Sequence, residues 1–129
     1  MREAVQQSVP ASVSIDHDAV KRAFFRIMDA WGVRDVDALV LLGRPSRSTF
    51  YAWKKGAGGK LSHDTLERVS YVLGIYKALQ LLFPNPQQAD AWLKKPNAAF
   101  GGRSALERAL GGRVVDLAHV RQHLDFVRG

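Results

Sequence analysis

No cysteine occurs among the 129 residues, which excludes disulfide frameworks, thiolate metal sites and thiol nucleophiles. No window approaches the roughly 18 uninterrupted apolar residues of a membrane span. The N-terminal stretch MREAVQQSVPASVSIDHD lacks the apolar centre of a secretory signal, so a cytoplasmic protein is expected. Strand-like alternation never extends beyond a few residues, so the pattern is all-α. The last absence is local: residues 44–60 contain no acid at all.

That absence shows where the charge lies. The whole chain carries +7, yet residues 1–43 and 61–93 are each close to neutral. Residues 44–60 hold five basic groups, and residues 94–129 hold seven basic against three acidic. Two positive blocks separated by neutral stretches suit a protein with anionic partners.

The helical phase divides the chain. Residues 1–15 are polar and small and read as a flexible arm. Val20, Phe24, Ile27 and Trp31 then mark a first helix, stopped at Gly32, and Asp35–Leu42 a second, broken by Gly43-Arg44-Pro45. Ser46 is placed to cap a third, in which Phe50 and Trp53 face inward. A flexible Ala57-Gly58-Gly59 connector follows. Asp64-x-x-Glu67 has the form of a capping box for a long fourth helix, ended by Pro84-Asn85-Pro86. Beyond it lie a short helix anchored by Trp92, a turn over residues 95–102, a helix capped by Ser104, and a last helix with Leu117, Val120, Leu124 and Val127 on one face. This divides into a helix-turn-helix unit over 16–83, including the long helix, and a small helical unit over 84–129.

The second and third helices have the helix-turn-helix form, although Gly43 follows Ala38 by five residues where the strict spacing is four. With Phe50 and Trp53 inside, Arg47, Ser48, Tyr51, Lys54 and Lys55 fall on other faces. Arg44, Ser46, Thr49 and Lys60 join them as candidate DNA contacts. Arginine reads guanine in a bidentate manner, whereas lysines suit phosphates. A solvated basic face is the plainer alternative.

The run Thr49-Phe50-Tyr51-Ala52-Trp53-Lys54-Lys55-Gly56, the stretch Glu67–Leu79, and the order Trp92-Leu93, Pro96-Asn97, Phe100-Gly101-Gly102 and Ser104 together resemble the Xre/MbcA/ParS antitoxins. The resemblance covers about residues 20–129, and its second half is the diagnostic part. Ala105 stands where family patterns often carry Pro. The resemblance implies an antitoxin of a bacterial type II toxin–antitoxin pair. Its N-terminal domain would bind operator DNA and repress its own operon. Its C-terminal domain would bind a RES-type toxin that degrades NAD, and would block that toxin's active site. Homodimers and larger toxin–antitoxin complexes are implied as well.

Within the second unit, Asn97, Phe100, Arg103, Arg113, Arg121, Leu124, Arg128 and Gly129 are the candidate toxin contacts. The ending Phe126-Val127-Arg128-Gly129 is apolar and basic and could enter a cleft. Removal of residues 112–129 is expected to leave a folded DNA-binding domain that no longer neutralises. The alternative is a helix-turn-helix repressor whose tail serves only dimerisation. His119 and His123, with Asp116, have metal-compatible spacing, but the neighbouring Arg113 and Arg121 disfavour a cation. Gly56–Ser62 lacks the GK[ST] order of a phosphate loop. No catalytic constellation, cofactor or metal site is expected.

Overall fold

The computed structural model describes residues 14–129, so the polar arm falls almost wholly outside the described residues. Among these residues there are seven α-helices and no strand. They are α1 (His17–Trp31), α2 (Asp35–Leu41), α3 (Arg47–Lys54), α4 (His63–Leu82), α5 (Pro86–Trp92), α6 (Ala105–Ala109) and α7 (Val114–Arg128), with a 3-10 turn over Ala98–Phe100. The all-α reading holds. None of these helices is long and apolar enough to cross a membrane.

The long helix α4 is the organising element. It buries Thr65, Val69, Val72, Ile75, Ala78 and Leu79, which cover more than one face, so it is a central helix rather than a surface one. α1 packs on one side of it, and α7 packs along the other through Leu117, Val120 and Leu124. The buried side chains from Phe24 to Leu124 form one continuous cluster. Residues 112–129 are therefore part of the core. Deleting them strips three buried side chains from α4, at about 2–5 kcal/mol for each such loss. The remainder is therefore not expected to fold without them, contrary to the sequence expectation.

Several local devices differ from the sequence reading. Ser62, not Asp64, caps α4: its hydroxyl accepts the Thr65 N–H at 3.1 Å, which leaves Asp64 to pair with Arg68 at 2.9 Å. α5 starts earlier than expected, with Asn85 as cap and Pro86 in the first turn, a position that needs no N–H. Its anchors are the buried Ala89 and the following Leu93, whereas Trp92 is only half-buried. Val127 is 52% exposed, so the apolar face of α7 ends at Leu124.

The glycine loop after α3 is tethered. Lys21 of α1 is 2% exposed, and its ammonium donates to the Ala57 carbonyl at 2.9 Å and the Gly59 carbonyl at 2.6 Å. Asp18 lies 3.4 Å away, and the Leu61 N–H donates to His17 Nδ1 at 2.9 Å. Buried ammoniums persist only when so satisfied. Lys21→Met is expected to destabilise the fold by about 1.5–3 kcal/mol, because the loop carbonyls of Ala57 and Gly59 lose a charged donor. Urea unfolding would measure the loss, and faster amide exchange confined first to residues 57–61 would identify the cause.

Candidate functional site

The helix-turn-helix geometry follows from two caps and a left-handed turn. Leu42 closes α2 and Ser46 opens α3, its hydroxyl accepting the Thr49 N–H at 3.1 Å. Between them Gly43 and Arg44 have φ of 90° and 60°. Gly43 takes this conformation cheaply, whereas Arg44 does so against the usual penalty for a side chain. The irregular spacing in the sequence is thus absorbed by two consecutive left-handed residues.

With Phe50 and Trp53 buried, Arg47, Ser48, Tyr51, Lys54 and Lys55 form a single exposed stripe along α3. Arg44 and Lys60 are exposed at its two flanks, while Thr49 is half-buried. The structure qualifies three of these candidates. The Ser46 hydroxyl is occupied by its cap and by Thr49 Oγ1 at 2.9 Å. Lys54 is held by Asp35 of α2 at 2.8 Å, and Asp35 also lies 3.5 Å from the Tyr51 hydroxyl. The hydrogen bond to Asp35 raises the Lys54 pKa. The third is Arg44, whose guanidinium lies against Gly112: a Cβ there would stand 2.7 Å from Arg44 Nη1. Among the described residues, the cations of the stripe without an acidic partner are Arg47 and Lys55. Acid-free in sequence, the block still receives an acid from another helix.

In the second unit, the motif that carried the resemblance builds a turn. The Asn97 side chain accepts the Ala99 N–H at 2.9 Å, and its carbonyl accepts the Gly102 N–H at 3.0 Å. Gly101 and Gly102 take φ of 67° and 85°. Ser104 then opens α6 with a complete capping box: its hydroxyl accepts the Glu107 N–H, and the Glu107 carboxylate accepts the Ser104 N–H at 2.9 Å. Ala105 replaces the customary Pro at no loss to this cap. Phe100 turns inward and meets His119 and His123 edge-on at 5.3 Å, and His123 stacks on Trp92. These two histidines serve as aromatic packing.

The predicted toxin contacts therefore separate. Phe100 and Leu124 are buried in the core, which residue type and position do not report. Arg121 lies over Gly74 of α4, where a Cβ would displace its guanidinium, and pairs with Asp125 at 3.1 Å. Arg113 binds Asp116 through Nε at 3.2 Å and through an Nη at 3.0 Å. Asn97 holds its own turn. Arg103, Arg128 and Gly129 remain exposed, and so does Phe126 of the apolar-basic ending, at 83%.

Asp116 is 1% exposed and also accepts the Arg113 N–H at 3.1 Å, closing the first turn of α7. The Arg113 guanidinium holds this carboxyl below its ordinary pKa, against the opposing effect of burial. A depressed folded pKa gives stability that is fully present above the unfolded value, about 3.9, and is lost as pH falls through the folded one. Asp116→Asn is expected to cost about 1–3 kcal/mol at pH 7. The gap from the unmodified chain should close below about pH 4 in thermal melts across pH.

Comparisons with known proteins give two family models, whose matches meet within α4. A family model for the antitoxin Xre-like helix-turn-helix domain matches residues 3–74. A second, for the antitoxin Xre/MbcA/ParS C-terminal toxin-binding domain, matches residues 78–129. The uncharacterized protein y4oB of Sinorhizobium fredii is 51% identical over 129 residues, covering 100% of this chain and 99% of its own. The chain belongs to the Xre/MbcA/ParS antitoxin family, with an Xre-like helix-turn-helix domain followed by a toxin-binding domain.

Proposed function

We propose that this chain neutralises a RES-type, NAD-degrading toxin by covering its active-site entrance with the end of α7, and that it represses its own operon through α3. The observation that carries the first half is the tip of α7. Leu124 is the last buried residue, and beyond it Phe126 and Val127 are 83% and 52% exposed, followed by Arg128. An exposed aromatic on the end of a helix that is itself clamped to α4 is a preorganised plug. Its burial in a cleft would contribute about 1.5–3 kcal/mol, with little ordering cost.

The second half rests on the Arg47–Lys55 stripe and on the tethered loop beside it. Operator reading by a helix-turn-helix generally uses two copies on two half-sites, so a homodimer, assembled with toxin into a larger complex, is part of the proposal. The chain acts by binding rather than by catalysis, in the cytoplasm, where both operator and NAD are found.

Co-expression with the product of the adjacent reading frame, purification on one tag and assay of cellular NAD test the reading. Co-elution with preserved NAD, against depletion when the neighbour is expressed alone, is the expected result. No co-elution together with a harmless neighbour would overturn it.

A further inference from the structure

A cavity of about 480 Å³ lies between the Phe100–Arg103 turn, α6 and the first turns of α7. Arg103, Glu107, Arg108, Arg113, Asp116 and His119 bring the polar groups to its lining. Both acids are already engaged. Asp116 accepts three hydrogen bonds from Arg113 and lies 3.3 Å from Arg108 Nε, while Glu107 completes the capping box of α6. Not every donor is. Arg103 is exposed, and its guanidinium makes no hydrogen bond or ion pair among the described residues. Arg108 Nε is buried against Asp116 as an ion pair, and His119 Nδ1 is buried with no hydrogen-bond partner among the described residues. With both carboxylates engaged and the Arg103 guanidinium free, a ligand that completes the cleft must bring acceptors.

Charge narrows the ligand further. Three guanidiniums face two carboxylates, an excess of one positive charge. A single carboxylate balances that excess, whereas a phosphate monoester near neutral pH brings about −1.5 to −2. The planar guanidinium of Arg103 also matches a carboxylate in bidentate fashion. We propose that this cleft is a docking pocket for one Asp or Glu side chain of the toxin, gripped by Arg103. This rests on the antitoxin reading above and adds to it a second anchor, separate from the α7 tip. The carboxylate fixes where the antitoxin sits, and the tip closes the active site.

The test has two arms. In the first, the ¹⁵N-labelled full chain is titrated with butyrate, with inorganic phosphate and with chloride at matched ionic strength. Butyrate should shift the Arg103 and Arg108 Nε–H signals and the Gly101 and Gly111 amides saturably, and Arg103→Ala should remove that response. Absence of saturation, indifference to Arg103→Ala, or tighter binding of phosphate at the same signals would overturn the carboxylate assignment. In the second arm, Arg103→Glu is expected to weaken the complex with the adjacent-frame product by about tenfold or more, with partial recovery in Arg103→Lys. An undiminished complex with Arg103→Glu would overturn the toxin as the source of the carboxylate while leaving the antitoxin reading in place. Failure of the unmodified chain to form any complex would overturn that reading, and the toxin-derived carboxylate with it. The titration contains no toxin, so the two failures are read separately.

Discussion

A chain that stops at Asp125 is expected to fold and bind operator DNA as the full chain does, and to lose neutralisation of its toxin. The four residues removed are all exposed, and the one ion pair they make among the described residues, Arg128 to Asp125 at 3.7 Å, lies on the surface. Changes at such positions stay within about 0.5 kcal/mol of stability. The functional loss should be far larger. Burying a Phe and a Val side chain contributes about 1.5–3 kcal/mol each, so their removal weakens the complex by about 10²-fold or more. In cells, NAD should fall to the level seen with toxin alone. Preserved NAD with the chain ending at Asp125 would eliminate the tip as the blocking element. The longer deletion of residues 112–129 is expected to abolish cooperative unfolding altogether, because Leu117, Val120 and Leu124 leave with it.

That contrast shows what the sequence could and could not disclose. The helices were legible because apolar spacing reports directly on burial: Phe24, Ile27 and Trp31 of α1 and Phe50 and Trp53 of α3 all lie inside, as their phase required. Caps were legible where one residue suffices, as at Ser46 and Ser104. They were misread where two candidates competed: Ser62 stands one residue before the helix, but the acids at 64 and 67 made the more conspicuous pattern. The single core was not legible, since a Pro-Asn-Pro break looks like a boundary whether or not the segments beyond it return to the same helix. Here α7 returns to α4 across a gap of more than thirty residues.

Side-chain partnerships at long range were the other blind spot. Lys21 reads as an ordinary surface cation on the first helix, yet it is the buried tether of a loop 36 residues away. Arg113 and Arg121 were plausible partner contacts by type, and both turned out to hold their own helix through acids three and four residues on. Those two pairings are visible in sequence as i,i+3 and i,i+4 spacings, so a local partner for each arginine was legible. The cleft beside Arg103 had no such signal, because it needs the turn, α6 and α7 to converge.

Arg47→Glu should produce the reverse separation, with repression lost and neutralisation intact. Arg47 is exposed in the first turn of α3 and has no ion-pair partner among the described residues, so its whole charge is available to DNA. A bidentate arginine contact contributes about 1–3 kcal/mol, and reversing the charge adds repulsion from phosphates, so operator affinity should fall by about 10²-fold. The salt dependence identifies the kind of contact. If Arg47 neutralises a phosphate, the slope of log affinity against log salt becomes shallower by about 0.9, whereas a purely base-reading arginine leaves it nearly unchanged. Asp35→Asn provides the opposite control, because Asp35 holds Lys54 at 2.8 Å. Freed, Lys54 should raise affinity several-fold and steepen the slope by about 0.9. Equal affinity and equal slope for Arg47→Glu and the unmodified chain would remove α3 from the DNA interface. A gain from Asp35→Asn alongside a loss from Arg47→Glu would show that α3 reads DNA with its strength set below its maximum by one carboxylate on the neighbouring helix.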